Sequence, residues 1–253
     1  MPMEARYALL YSDYEVVPCL RIPFEKFAFI ILTLPLFAFI FCIIYSILFH
    51  FESVTSTHCH VFNILPSISS AIGNYSPQRE VWQAAILLQS IPRFYIAVIY
   101  LQFHHVMTYP KDIWMGKIAF LLNLTENVSL IILSFWTSSK HYAVHEKAFI
   151  AFITMSEFYM MLSCIMQTRF RRHNKRSLKW KLRLFLTNIS CILLGTYFYM
   201  RHNSLCEPYM YSLFAFAEYI VVLTNMAFHT TAYFDFQKKD FVLYKYGAAI
   251  TER

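Results

Sequence analysis

Two pairs of polar residues, each at one end of an apolar stretch, could carry chemistry. His145 and Glu146 stand side by side before one stretch, and Arg201 and His202 follow another. Histidine changes protonation near neutral pH and can act as a general base, which a neighbouring carboxylate can orient. The planar fork of donors on an arginine suits a phosphate group. The sequence therefore offers His145, Glu146 and His202 as candidate catalytic residues, and Arg201 with Lys147 as candidate phosphate ligands.

A plainer interpretation of these residues stays open. The sequence has no GxSxG or HExxH motif, and no serine–histidine spacing that would strengthen a catalytic role. The same side chains could cap helix ends and form salt bridges between loops.

A second group of ionisable residues falls inside apolar stretches. A charged side chain at the centre of a membrane helix costs at least about 2.5 kcal/mol unless it finds a partner. We therefore expect a buried polar network that links several helices, with a lipid-headgroup pocket or a proton path as the alternative. Its expected members are Arg93, Glu126, Glu218, Asn225 and His229, and Glu157 lies in a further stretch of the same kind.

The composition indicates which elements position these groups. Apolar residues make up 58% of the 253 residues and charged residues only 15%, against about 25% in soluble domains. The apolar residues come in blocks long enough to cross a bilayer. We predict an all-α, polytopic membrane helix bundle of about six transmembrane helices, with both termini cytosolic. The predicted spans are 27–51, 81–107, 118–136, 148–168, 184–200 and 209–230, between an N-terminal segment 1–26 and a tail 234–253.

The distribution of positive charge predicts the orientation. Most of the 22 Lys and Arg residues belong to the termini and to the loops on their side. The opposite loops hold only Arg79, Lys140, Lys147 and Arg201. Because positive residues stay cytosolic, the loops that carry His145 and His202 are expected to be lumenal. The basic segment 169–183 is interpreted as a topology determinant or an anionic-lipid contact, with no role in nucleic-acid binding.

The cysteines predict one cross-link. Cys59 and Cys206 are the two cysteines in the predicted lumenal loops, and an oxidising lumen favours a disulfide between them. Two free thiols are the alternative. No cysteine spacing indicates a metal site. The run LPSISSAIG at 65–73 is too polar for a lipid-exposed helix, and we expect a re-entrant or interface-lying segment that covers the bundle.

Several motifs together resemble the Frag/DRAM/Sfk group of membrane proteins. They occur in the same order over roughly residues 25–237. The motifs are THC at 57–59, LPSISSAIG at 65–73, PRF at 92–94, NLTEN at 123–127, HEKAFIAF at 145–152, RHNSLCE at 201–207 and EYIVVLTNMAFHTTAYFDF at 218–236.

The resemblance implies a role in remodelling the lipid of GPI anchors in the Golgi membrane, with the endoplasmic reticulum as a further compartment. The implied step is reacylation of lyso-GPI at sn-2 with a saturated fatty acid. In that hypothesis Arg201 and Lys147 hold the lipid phosphate, and His145, oriented by Glu146, takes the proton of the sn-2 hydroxyl. His202 is the reserve base.

The implied partners are GPI-anchored proteins or lyso-GPI and the surrounding membrane lipids. The acyl donor would be a co-substrate, either acyl-CoA or a membrane phospholipid. The alternative is a non-enzymatic lipid-binding or organising protein that assists a separate acyltransferase. A receptor or transporter is a weaker alternative, because no inverted half-repeat is visible.

Overall fold

The computed structural model describes residues 19–170, 174–244 and 247–252. Within these residues, six helices are long and apolar enough to span a membrane. They are α1 (Phe24–Thr55), α3 (Gln78–Met107), α4 (Ile113–Phe135), α5 (Tyr142–Thr168), α6 (Lys175–Leu205) and α7 (Met210–Thr230). Two short helices, α2 (Ile68–Gly73) and α8 (Ala232–Asp235), and a 3-10 turn at Pro110–Asp112 complete the helical part. The predicted all-α membrane bundle is confirmed, and the chain is a multi-pass membrane protein.

The helices extend beyond the apolar blocks from which they were predicted. Helix α5 begins at Tyr142, so His145 and Glu146 lie in its first turns. Helix α6 runs to Leu205 and contains Arg201 and His202. The prediction placed these four residues in loops because hydropathy locates the part of a helix that lies in lipid. The backbone hydrogen bonds continue past that boundary.

Helices α3 and α4 make one close backbone approach. A Cβ atom added to Gly116 would lie 2.9 Å from the Cβ atom of His104. The rest of the buried core combines alanines with larger apolar side chains. One buried cluster joins α4, α5 and α7 through Met115, Tyr159 and Phe228. Many large apolar side chains remain exposed around the bundle, which suits a surface in contact with lipid tails.

A small sheet, absent from the prediction, joins the two ends of the described chain. Its antiparallel strands are β1 (Leu20–Pro23), β2 (Lys239–Tyr244) and β3 (Gly247–Glu252), in that order. Arg21 Nε lies 2.8 Å from Asp240 Oδ2, and the Phe27 and Phe241 rings stack at 3.9 Å. The first 18 residues of the predicted N-terminal segment lie outside the described residues.

A buried ion pair anchors the chain just before this sheet. Lys181 Nζ on α6 lies 2.5 Å from Asp235 Oδ2 at the end of α8. Tyr100 Oη donates to the same carboxylate oxygen at 2.9 Å, and Gln167 Nε2 donates to Oδ1 at 3.2 Å. Lys181 belongs to the basic segment that was predicted to set topology. In the structure it holds α6 against the end of the last helices.

Candidate functional site

The segment Leu65–Gly73, here called the cap, lies across one end of the bundle and is fixed by polar contacts. Tyr219 Oη donates to the Pro66 carbonyl at 2.6 Å, and Ser46 Oγ donates to the Ala71 carbonyl at 2.8 Å. The cap contains helix α2, which begins after Ser67. The Ser67 side chain accepts a hydrogen bond from the Ser70 amide at 3.2 Å, as expected of an N-cap serine.

Glu218, on α7, contacts the cap and not the intramembrane network in which it was predicted. Its Oε2 accepts the amide of Ile68 at 3.2 Å. The first amides of a helix have no partner within the helix, so a carboxylate at this position satisfies a partly buried donor. Glu218 is therefore one of the groups that fix the start of α2.

The cap brings Ser69 to His145. Ser69 Oγ lies 2.9 Å from His145 Nε2, and the other ring nitrogen, Nδ1, lies 2.8 Å from the Trp136 carbonyl. A carbonyl oxygen only accepts hydrogen bonds, so in the neutral imidazole Nδ1 carries the hydrogen. Nε2 is then the acceptor, and the Ser69 hydroxyl donates to it. This is the arrangement of a hydroxyl next to a base that a backbone group holds in place.

Ser69 was missed from the sequence because its partner lies 76 positions away. The orienting role expected of Glu146 is taken by the Trp136 carbonyl. Glu146 and Lys147 are both exposed on the first turns of α5. The signal that could have pointed to Ser69 is the placement of the cap and His145 at the same predicted end of the bundle.

The predicted disulfide between Cys59 and Cys206 is confirmed. It ties the loop after α1 to the turn between α6 and α7. His58 lies beside the two sulfur atoms, and the three donor atoms are within 4.8 Å of one another. Because both sulfurs are joined in the disulfide, they are not available as thiolate ligands for a metal.

Arg201 and His202 lie close to this disulfide, and each already contacts another side chain of the protein. Arg201 forms an ion pair with Glu207, and its Nη1 donates to Tyr197 Oη at 3.0 Å. The Arg201 side chain is 38% exposed. His202 has no exposed surface, and its Nε2 lies 3.0 Å from Thr57 Oγ1. The structure thus gives His202 a packed position, and brings His145, not His202, to a hydroxyl of the cap.

Four of the five residues predicted for the intramembrane network come together. Glu126, which has no exposed surface, is the centre. Its Oε1 lies 3.0 Å from Arg93 Nη2, 2.8 Å from His229 Nε2 and 3.2 Å from Asn225 Nδ2. Ser156 was not predicted, and its hydroxyl accepts from Asn225 Nδ2 at 2.6 Å. The network joins α3, α4, α5 and α7, and the arginine balances the charge of the carboxylate.

The chain matches a family model described as the Frag1/DRAM/Sfk1/Cwh43P N-terminal domain over residues 23–239. It is 45% identical over 231 residues to "Post-GPI attachment to proteins factor 2" of Drosophila melanogaster, covering 89% of this chain and 90% of that protein. It is 41% identical over 230 residues to "Acyltransferase PGAP2" of Xenopus tropicalis, covering 87% and 90%.

A third similar protein is "Post-GPI attachment to proteins factor 2" of Caenorhabditis elegans, with 38% identity over 246 residues, 93% of this chain and 92% of that protein. No solved structure matches the chain. The family model covers most of the chain and includes both the cap and the intramembrane network. This multi-pass protein belongs to the Frag1/DRAM/Sfk1 family.

Proposed function

We propose that the protein remodels the lipid of GPI anchors in the Golgi membrane by reacylating lyso-GPI at sn-2 with a saturated fatty acid. The names of its relatives support the substrate class, since they include post-GPI-attachment factors and an acyltransferase. The observation that carries the reaction type is the contact between His145 Nε2 and a hydroxyl, with Nδ1 held by the Trp136 carbonyl.

The chemistry of acyl transfer needs a base at this position. A hydroxyl attacks an ester or thioester carbonyl only weakly until a base removes its proton. His145 is held in the tautomer whose unprotonated nitrogen, Nε2, can accept that proton. On the predicted lumenal face it can serve the hydroxyl of a lyso-GPI, whose headgroup faces the lumen. The acyl chain comes from a co-substrate donor, a membrane phospholipid or acyl-CoA.

Two positive side chains, Arg201 and Lys147, are candidates to bind the phosphate of the lipid. Arg201 is partly exposed and its charge is shared with Glu207, and Lys147 is exposed two residues beyond His145. In the proposed function these two hold the inositol phosphate while the acyl chains lie under the cap. GPI-anchored proteins, or lyso-GPI itself, are then the substrates.

The test is reconstitution of the purified protein in liposomes that contain lyso-GPI and a donor, with mass spectrometry of the diacyl product. His145→Gln should lower the rate of transfer by about 10²–10⁴-fold, the usual contribution of a general base. The matched control is His141→Gln, because His141 is exposed four residues earlier, at the start of the same helix. Equal rates for wild type and His145→Gln would refute catalysis by this residue.

A second candidate function is a lipid-presenting protein without catalysis. It is favoured by a cavity of about 50 Å³ whose lining includes apolar residues of α1 together with Arg93 and His229. Its apolar walls suit the end of one acyl chain, and the Arg93 in its lining is already paired with Glu126. This candidate predicts that His145→Gln still restores GPI remodelling in deficient cells, whereas a catalyst with the same change would not.

A further inference from the structure

We propose that Ser69 is a covalent nucleophile, so that the acyl chain passes through a Ser69 ester before it reaches the acceptor. The inference rests on the proposed acyl transfer and goes beyond it. In the simpler scheme, His145 takes the proton of the acceptor hydroxyl directly.

The geometry of His145 distinguishes the two schemes. In the neutral ring one nitrogen is committed to the Trp136 carbonyl and the other to Ser69 Oγ. An acceptor hydroxyl can reach the base only after Ser69 has given up that hydrogen bond. The first proton that His145 can take without rearrangement is therefore the proton of Ser69.

The other two serines of the cap have different tasks. Ser67 accepts from the Ser70 amide as the N-cap of α2, and Ser70 Oγ donates to the Val54 carbonyl at 2.9 Å. Both contacts hold the cap itself together or join it to α1. Ser69 differs from Ser67 because it is half-buried and not buried, and it differs from the equally half-buried Ser70 because its hydroxyl faces an imidazole. It is thus the cap hydroxyl that is both activated and accessible.

The position of Ser69 is fixed from several sides. Glu218 holds the amide of the preceding residue, Ile68, and Tyr219 holds the Pro66 carbonyl. The Ile64 amide donates to Ser212 Oγ at 2.8 Å. A nucleophile placed by hydrogen bonds in this way keeps a near-attack geometry without further ordering.

The step balances as a double displacement. Ser69 Oγ attacks the acyl carbonyl of a phospholipid ester or an acyl thioester, and His145 Nε2 takes the hydroxyl proton. The bond from the carbonyl to the donor oxygen or sulfur breaks, and His145 returns the proton to that leaving group. The sn-2 hydroxyl of lyso-GPI then attacks the Ser69 ester and gives its proton to His145. Ser69 leaves and recovers the proton.

The experiment incubates the full-length protein in vesicles with donor and no acceptor. One arm contains phosphatidylcholine with a deuterated stearoyl chain, and a parallel arm contains deuterated stearoyl-CoA. We expect release of about one lyso-lipid or free CoA per protein, as in burst-phase acyl-enzyme formation, and a deuterated stearoyl group on the peptide that contains Ser69. The arm in which the Ser69 peptide becomes labelled shows which of the two compounds is the acyl donor. Added lyso-GPI should remove the label and yield product.

Three variants complete the test. Ser69→Ala should abolish labelling and lower transfer by at least about 100-fold. The control Ser56→Ala, at an exposed serine just after α1 that does not belong to the cap, should label as wild type does. Ser69→Cys should carry the chain as a thioester, which neutral hydroxylamine cleaves and which a purely structural serine would not produce. Transfer by Ser69→Ala at the wild-type rate, with no labelled peptide, would overturn the covalent step and leave the proposed function intact. Absence of transfer by wild type with both donors would overturn the proposed function, and the covalent step with it.

Discussion

In the intramembrane network and at the contact between α5 and the cap, a histidine lies next to a group that can exchange a proton, but the two regions hold the histidine differently. At the network, one oxygen of Glu126 receives Arg93, Asn225 and His229, and the carboxylate has no exposed surface. At the cap, His145 Nε2 contacts the hydroxyl of the half-buried residue Ser69. A buried charge pair mainly prevents the loss that an unpaired charge would cause. A neutral pair at the end of the bundle leaves its proton available for transfer.

The largest loss in the free energy of unfolding should come from a substitution that breaks the intramembrane network. Arg93→Gln leaves the Glu126 carboxylate without its positive partner, and we expect a loss of about 3–5 kcal/mol in the free energy of unfolding. Adding Glu126→Gln should recover most of that loss, because the uncompensated charge is then removed. Adding Glu218→Gln should recover none, because Glu218 bonds to the cap. Thermal unfolding of the variants in detergent micelles measures each free energy, and an equal rescue by both second changes would contradict the network as described.

The disulfide between Cys59 and Cys206 should contribute somewhat less to stability than the intramembrane network does. Cys206→Ser opens a link between residues 147 positions apart, and loss of a native disulfide costs about 2–5 kcal/mol. We expect a lower unfolding temperature and the loss of the mobility difference between reduced and non-reduced samples on a gel. Cys191→Ser is the control, because Cys191 is a free cysteine on α6. The expectation fails if the two variants behave alike.

Substitutions of Glu218 should have a smaller effect on stability. They distinguish the charge of this carboxylate from its ability to accept a hydrogen bond. Glu218→Gln keeps an oxygen that can accept the Ile68 amide and should change stability little. Glu218→Leu leaves that amide unpaired at a cost of about 1–3 kcal/mol, and should also lower acyl transfer because the cap carries Ser69. Unfolding and transfer are measured on the same preparations. If Glu218→Gln is as damaging as Glu218→Leu, the charge of Glu218 matters beyond its hydrogen bond.

The smallest effect on stability should come from Arg201→Gln. Its ion pair with Glu207 is partly exposed, and such pairs contribute about 0.2–1 kcal/mol. If Arg201 holds the lipid phosphate, the KM for lyso-GPI should rise several-fold while kcat stays the same. Glu207→Gln breaks the same ion pair and serves as the control. It should keep the KM of the wild type, and a similar rise in both variants would argue against a phosphate contact.

Burial and charge allowed some contacts to be predicted from the sequence, and others depended on the path of the chain. Arg93 and Glu126 were predicted to belong to one network because a mid-membrane charge needs a partner, and the structure pairs them. Cys59 and Cys206 were paired because they share one predicted face. Glu218 was misassigned because its partner is a backbone amide of the cap, 150 positions away, and a backbone amide has no mark in the sequence.

The small sheet of β1, β2 and β3 also depends on contacts between distant residues that the sequence does not reveal. Its strands β1 and β2 pair residues more than two hundred positions apart, such as Leu20 with Leu243. Each strand is too short for alternation of polar and apolar residues to distinguish it from a polar tail. The six spanning helices were predictable as elements, because the bilayer sets their length and apolar character.

The sheet and the disulfide together limit how the bundle can open. Strand β1 leads into α1 and strand β2 follows α7 and α8, so main-chain hydrogen bonds fasten these helices at one end. At the other end, Cys59 just after α1 is covalently linked to Cys206 just before α7. The first and last spanning helices, α1 and α7, are therefore joined at both of their ends and cannot easily separate from each other. A lipid that enters the bundle from the leaflet would therefore have to pass between another pair of helices.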